Sequence, residues 1–250
     1  MKTEWNYTGL AKAYLKRADY SQSAIDEMLA IAGVKEGDDV CDVGAGVAHL
    51  TLMLADKKLK VISVEPNDDM RKYGKLRTED YDNVSWFEGV GEETGQADDT
   101  FKLVTFGSSF NVCDRQEALK EVKRIATSQG WFACMWNHRD LEDEVQKSIE
   151  SIIAEHIEGY GYGTRREDQT EVINESGLFN EVHKFSGGIV HQQSIEDVVE
   201  AWRSHATLER QAGDKFHTIV AHIEEYLNSL GKDTIDVPYT TNVWMAQLKD

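Results

Sequence analysis

The chain is poor in several features that would fix its surroundings. It has three cysteines in 250 residues, Cys41, Cys113 and Cys134. They are far apart, odd in number and set in apolar stretches, with no CxxC or HxxxH spacing. A disulfide framework and a zinc site are therefore excluded, and reduced core thiols with no metal centre are expected. No stretch approaches the roughly 20 apolar residues of a membrane span. Met1 to Tyr20 mixes charges with aromatics where a secretory leader would carry an apolar core. A cytoplasmic protein, neither exported nor membrane-embedded, is expected. Positive charge is also scarce, with 27 Lys plus Arg against 45 Asp plus Glu and a formal net charge of -18. Most of such a surface would repel a phosphate backbone, so nucleic acid is not the expected partner. There is no internal repeat and no low-complexity tract.

What is present is a regular alternation. Short β-rich runs near Asp39 to Val43, Lys60 to Val64, Val84 to Glu88, Phe101 to Gly107 and Gly130 to Asn137 read as strands. Helical spacing marks Ala48 to Asp56, Asp69 to Arg77 and Arg115 to Ala126 between them. Such alternation predicts βαβ units and a parallel sheet assembled before residue 140. Two helices ahead of Asp38 would cap the sheet edge. Leu141, Val145, Ile149, Ile152 and Ile153 mark a further helix, followed by the glycine- and tyrosine-rich break Glu158 to Thr164, a candidate lid. Glu181 to Val190 reads as a strand. Two more amphipathic helices follow, and Tyr239 to Leu248 would close the chain as an edge strand. The length suits one domain over 1–250, with an N-terminal helical cap at 1–37 and an inserted helix and lid at 138–176.

The most informative stretch is Val40-Cys41-Asp42-Val43-Gly44-Ala45-Gly46-Val47-Ala48-His49, a strand running through Gly-x-Gly into a helix. Glycine lets the backbone turn tightly and a ligand approach it, and the helix start presents N–H groups, so a nucleotide-like ligand is implied. A dinucleotide site would place its third glycine at position 49, where this chain has His49. Asp42, two residues before the first glycine, would put a carboxylate near the loop. There it would repel a pyrophosphate but attract the ammonium and sulfonium of S-adenosylmethionine. The second strand ends in Val64-Glu65-Pro66-Asn67, with Glu65 19 residues past Gly46, the spacing at which an acid accepts hydrogen bonds from a ribose diol.

With these residues the sequence resembles the class I methyltransferases, in particular the small-molecule group that includes the trans-aconitate methyltransferase-like proteins. The resemblance extends over nearly the whole chain, through Tyr14 to Tyr20, the glycine motif, Glu65, Phe87 to Glu92, Phe101 to Gly107 and Tyr239 to Trp244. It implies a doubly wound Rossmann-like, seven-stranded, mostly parallel α/β sheet with helices on both faces and a helical cap. It also implies S-adenosylmethionine as cofactor. Asp42, Gly44, Ala45, Gly46, Glu65, Pro66 and Met70 would line it, Val90, Gly91 and Glu92 would meet the adenine, and Gly107 and Ser108 the methionine portion. The sequence departs from the group at Lys102, where an acid is usual, and at Phe110-Asn111, where relatives often carry an aromatic-histidine pair.

Methyl transfer from a sulfonium is an in-line displacement, so the protein mainly aligns the nucleophile and excludes water. A base is needed only for hydroxyls or protonated amines. Asn137 and His138 follow the fifth strand, at the sheet end where ligands bind in open α/β folds. His138 is the candidate base. Tyr160 and Tyr162, within Gly-Tyr-Gly-Tyr-Gly, would close over the ligand and face the sulfonium. Asn111, Arg139, Arg165, Arg166 and Arg203 are the candidate acceptor-binding residues, the arginines as clamps for a carboxylate or phosphate. The expected function is methylation of a small molecule, with an anionic acceptor among the candidates, by a monomer or homodimer. Release of methylthioadenosine by intramolecular displacement and a non-catalytic cofactor-binding module remain alternatives, and nicotinamide chemistry is disfavoured by Asp42 and His49.

Overall fold

The computed structural model describes residues 11–162, 166–203 and 205–249. In chain order the regular elements are α1 (Ala11–Tyr14), α2 (Gln22–Ile31), β1 (Asp39–Val43), α3 (His49–Asp56), β2 (Lys60–Val64), α4 (Asp68–Arg77), β3 (Val84–Phe87), β4 (Phe101–Gly107), α5 (Arg115–Ile125), β5 (Ala126–Arg139), α6 (Glu144–His156), α7 (Thr170–Glu175), β6 (His183–Ser194), α8 (Ile195–Arg203), α9 (Ala206–Ala212), α10 (Phe216–Ser229) and β7 (Thr234–Gln247). One seven-stranded sheet has the order β3-β2-β1-β4-β5-β7-β6. Strands β1 to β5 pair in parallel, and β7 runs antiparallel between β5 and β6. The expected doubly wound, mostly parallel α/β fold is the fold observed.

Strand parity builds the two layers, because alternate side chains leave the sheet on opposite faces. Cys41, Val104, Phe132, Cys134 and Trp244 pack with Ala118, Leu119 and Val122 of α5 and Ile173 of α7. One residue over, Val40, Leu103, Ala133, Met135, Val243 and Met245 pack with Ile25 and Met28 of α2 and Leu50 and Leu54 of α3. The N-terminal helix α2 thus lies on a sheet face, where its buried Ala24, Ile25, Met28 and Leu29 find cover, and does not cap an edge.

The closing strand differs from expectation in the same way. β7 is interior, bonded from Trp131↔Gln247 to Arg139↔Tyr239 on one side and along β6 on the other. The edge belongs to β6, whose Val190 is 63% exposed. Apolar composition alone does not distinguish these positions. What does is that residues of both parities in β7, Val243 and Met245 against Trp244 and Ala246, are buried.

Past Arg139 the paired β6 and β7 run on as a two-stranded arm that carries Ile235 and Val237 into a separate apolar cluster. There they meet Ile149 and Ile153 of α6, Val198 and Trp202 of α8, Leu208 of α9, and Ile219 and Ile223 of α10. A helical cap therefore rises beside the carboxyl ends of the strands. Among the described residues no helix is long and apolar enough to cross a membrane.

Candidate active site

The glycine loop sits where β1 ends. Gly44 and Gly46 adopt φ of +69° and +57°, and the N–H groups of Gly44 and Ala45 both donate to the Val64 carbonyl, at 2.8 and 3.1 Å. Gly44 is obligatory twice over. Its backbone is left-handed, and a Cβ there would lie 2.4 Å from Cβ of Ser109, whose hydroxyl donates to the Val43 carbonyl at 2.6 Å. Above Gly46 a Cβ would meet nothing within 4 Å, so the loop's outer side is open.

Glu65, just past β2, is brought to this loop as its spacing predicted. Oε2 accepts from Gly46 N–H at 2.9 Å and Oε1 from Asn67 N–H at 2.8 Å. Burial raises its pKa, opposed by these two N–H groups and by nearby Arg71. Arg71 donates to the Glu65 carbonyl at 2.6 Å and Arg77 to that of Val47 at 2.7 Å, so α4 holds both sides of the loop. Pro66 leads into α4, and Met70 is buried with Val47 beneath Ala11 of α1.

Asp42 lies elsewhere than expected. It pairs with Ser63 on β2 and Thr105 on β4, and its parity directs it onto α3 rather than up into the loop. It is fully buried, accepting from Thr51 Oγ1 at 2.7 Å and Thr105 Oγ1 at 3.2 Å, while Ser63 Oγ completes the row at 3.0 Å from Thr51. Burial pushes the carboxyl up to about 6, with the nearby Glu65 charge acting in the same direction against the hydroxyls. Asp42 thus underlies the loop without touching the space above it. The carboxylate expected near the loop stands one layer below it, against α3.

The other cofactor-side candidates gather around the same opening. Val90 and Glu93 close a short turn, at which a Cβ on Gly91 would lie 2.4 Å from Sγ of Cys113. Glu92 accepts from the N–H of Asp114, the residue that caps α5. At the end of β4, Ser108 takes φ +59° and its Oγ lies 2.9 Å from the Tyr20 hydroxyl. Burial holds that phenol protonated, its pKa raised well above the usual value. Tyr20 belongs to a lead that is fastened over the loop. His49 Nδ1 meets Asp19 Oδ1 at 2.8 Å and its Nε2 meets the Tyr14 carbonyl at 2.7 Å. In the sequence His49 shows only as the absence of a third glycine, since nothing local announces a partner 30 residues earlier.

On the acceptor side the candidates separate. Asn137 donates to the carbonyls of Ala18 at 3.2 Å and Asp19 at 2.8 Å and accepts from Thr241 at 2.6 Å. It fastens the lead to the sheet. Asn111 accepts from Trp136 Nε1 at 3.0 Å. His138 Nδ1 lies 3.1 Å from Asn242 Nδ2, the donor end of that amide. Arg203 is exposed and held by Glu224 at 2.7 Å and Glu200 at 3.7 Å. Arg139 and Arg166 converge in the cap, where Tyr160 and Tyr162 also lie, 5.3 Å apart and edge to face. The Tyr162 hydroxyl donates to Glu150, and Gly161 is tied in both directions to Gln211 of α9. Arg165 lies outside the described residues.

Comparison with known proteins places this geometry. Residues 22–158 match the model of the ubiE/COQ5 methyltransferase family. An uncharacterized methyltransferase of Schizosaccharomyces pombe is 23% identical over 96% of this chain and 95% of its own length. The demethylmenaquinone methyltransferase of Bacillus velezensis is 30% identical over 44% of this chain, and the match spans 50% of that enzyme. Among solved structures, phosphoethanolamine N-methyltransferase 2 of Haemonchus contortus superposes with a TM-score of 0.57 at 14% identity, covering 99% of this chain and 58% of that one. Its crystals hold phosphomonomethylethanolamine and S-adenosylhomocysteine.

Proposed function

Because the chain belongs to the ubiE/COQ5 methyltransferase family and is an S-adenosylmethionine-dependent methyltransferase, we propose that it methylates a small-molecule acceptor, anionic in character, by in-line displacement at the carboxyl ends of β1, β2 and β4. The observation that carries this reading is the Glu65 carboxylate bonded to the N–H of Gly46 at 2.9 Å beside an open glycine turn. When bound, S-adenosylmethionine supplies an activated methyl group on a sulfonium. Glu65 retains a second lone pair on each oxygen for a ribose diol, and the Val90 to Glu92 turn borders the adenine side. Gly107 and Ser108 lie toward the methionine portion, under the Tyr20 hydroxyl. The buried charge of Asp42 favours a cation above the loop through the low-dielectric layer between them.

The residues align and exclude water more than they transfer protons. The lead fastened by His49 and Asn137 shields the loop from solvent. His138, whose Nδ1 faces the Asn242 amide nitrogen at 3.1 Å, is the candidate base for an acceptor that must lose a proton. The acidic surface speaks for a small acceptor over a nucleic acid.

Calorimetric titration with S-adenosylmethionine, followed by mass spectrometry after incubation with pooled metabolites, tests the reading. Binding with formation of S-adenosylhomocysteine and a metabolite heavier by one methylene is the expected result. Methylthioadenosine as product, or no binding, would overturn it.

A further inference from the structure

We propose that the acceptor carries a terminal oxyanion, a carboxylate or a phosphate, and that Arg139 and Arg166 seat it on an aromatic bed in the helical cap. The proposal rests on the methyl-transfer reading above and specifies the substrate class of that site. Arg139 is the last residue of β5, four past Met135, which pairs with Gly107 at the cofactor end of β4. At roughly 3.3 Å per residue it stands about 13 Å along the strand from that level, beyond the glycine loop and beside the cap.

Three observations converge there. The Arg139 guanidinium lies over the Trp202 ring, 4.5 Å from its centroid, with Tyr239, Tyr160 and Tyr162 close by. Arg166 lies over Tyr162 at 4.3 Å and donates to the Arg139 carbonyl at 3.2 Å, so the two guanidinium-bearing residues are joined. The chain has 45 acidic residues, and Arg71, Arg124 and Arg203 each sit against carboxylates. Among the described residues Arg139 and Arg166 have none within 4.0 Å. Independently, Trp202 is 1% exposed and its Nε1–H has no acceptor among the described residues.

Buried donors are almost always paired, and a desolvated cation is costly unless an anion answers it. This cluster offers N–H donors and aromatic faces, while Glu150, the acid bonded within it, is engaged by the Tyr162 hydroxyl. The group that completes it is therefore one that only accepts, carries negative charge and is planar or trigonal enough for a guanidinium fork. A neutral acceptor would leave both guanidinium groups without an anionic partner.

The test uses the full chain saturated with S-adenosylhomocysteine, titrated calorimetrically with succinate and with inorganic phosphate, with succinamide as the uncharged control. We expect at least one of the two anions to bind and succinamide not to. Arg139→Met and Arg166→Met should each weaken that binding at least tenfold while leaving S-adenosylhomocysteine affinity unchanged, and Arg139→Lys should fall between. Which anion binds more tightly separates a carboxylate from a phosphate acceptor. If Arg139→Met does not fold, Arg166→Met, which removes the outer guanidinium, carries the same comparison. Binding of S-adenosylhomocysteine without binding of either anion, or anion binding unchanged in the methionine variants, would overturn this proposal alone. Failure of the wild-type chain to bind S-adenosylhomocysteine would overturn the methyl-transfer reading beneath it.

Discussion

Replacing Asp42 by asparagine isolates one buried charge and gives it a pH signature. The side chain is fully buried between Thr51 and Thr105, and its carboxyl is raised from the usual 3.8 to about 6, first by burial. The folded chain therefore holds this proton more tightly than the unfolded chain, and stability falls as pH rises between the two values. Well below pH 3.8 both states are protonated and the carboxyl costs nothing. Fully ionised, it costs the fold about 3 kcal/mol, roughly half of it already present at pH 5 and nearly all by pH 7. Asparagine occupies the same space, and the hydroxyls of Thr51 and Thr105 both donate and accept, so its amide is accommodated. Whatever the altered hydrogen bonds cost does not depend on pH. Urea unfolding of the ligand-free protein and of Asp42→Asn at pH 5 and pH 8 should therefore show the variant gaining on wild type by about 1.5 kcal/mol between the two. A gap that stays constant with pH would mean that Asp42 is not a desolvated acid in the folded chain, and the argument for a negative charge beneath the loop would go with it.

Gly44→Ala should lower stability by about 2–4 kcal/mol, from a left-handed backbone and a Cβ placed 2.4 Å from Ser109; an unchanged urea midpoint would contradict the turn geometry. Glu65→Gln sets an amide NH2 against the N–H of either Gly46 or Asn67 and removes the charge. Calorimetry should find S-adenosylmethionine affinity reduced by about 1–3 kcal/mol, and affinity equal to wild type would exclude Glu65 from the cofactor site. Asn137→Ala removes the bonds to Ala18, Asp19 and Thr241, and limited proteolysis should then cut near residues 15–20 at least several-fold faster, with the sheet itself intact by circular dichroism. Resistance equal to wild type would show that the lead is held without it.

How much the amino-acid sequence determined by itself depends on how local the cause is. Strands β1, β2 and β4 and the glycine turn follow from apolar period and glycine chemistry within ten residues, and they stand where the sequence reading put them. The pairing of Glu65 with Gly46 was legible too, because a βαβ unit has nearly fixed geometry. Tertiary structure decided what depends on neighbours distant in sequence. The parity of Asp42 becomes meaningful only beside Ser63, Thr105 and Thr51, which turn an apparent ligand into a buried support. Asn137 is spent on Ala18 and Asp19, well over a hundred residues earlier, and Arg203 on Glu224 across two helices. Arg139 looks much like Arg203 in the sequence. One guanidinium lies in the cap on an aromatic face and the other on the surface between carboxylates, because the β6–β7 arm and helices α6, α8, α9 and α10 fold over the first and leave the second outside.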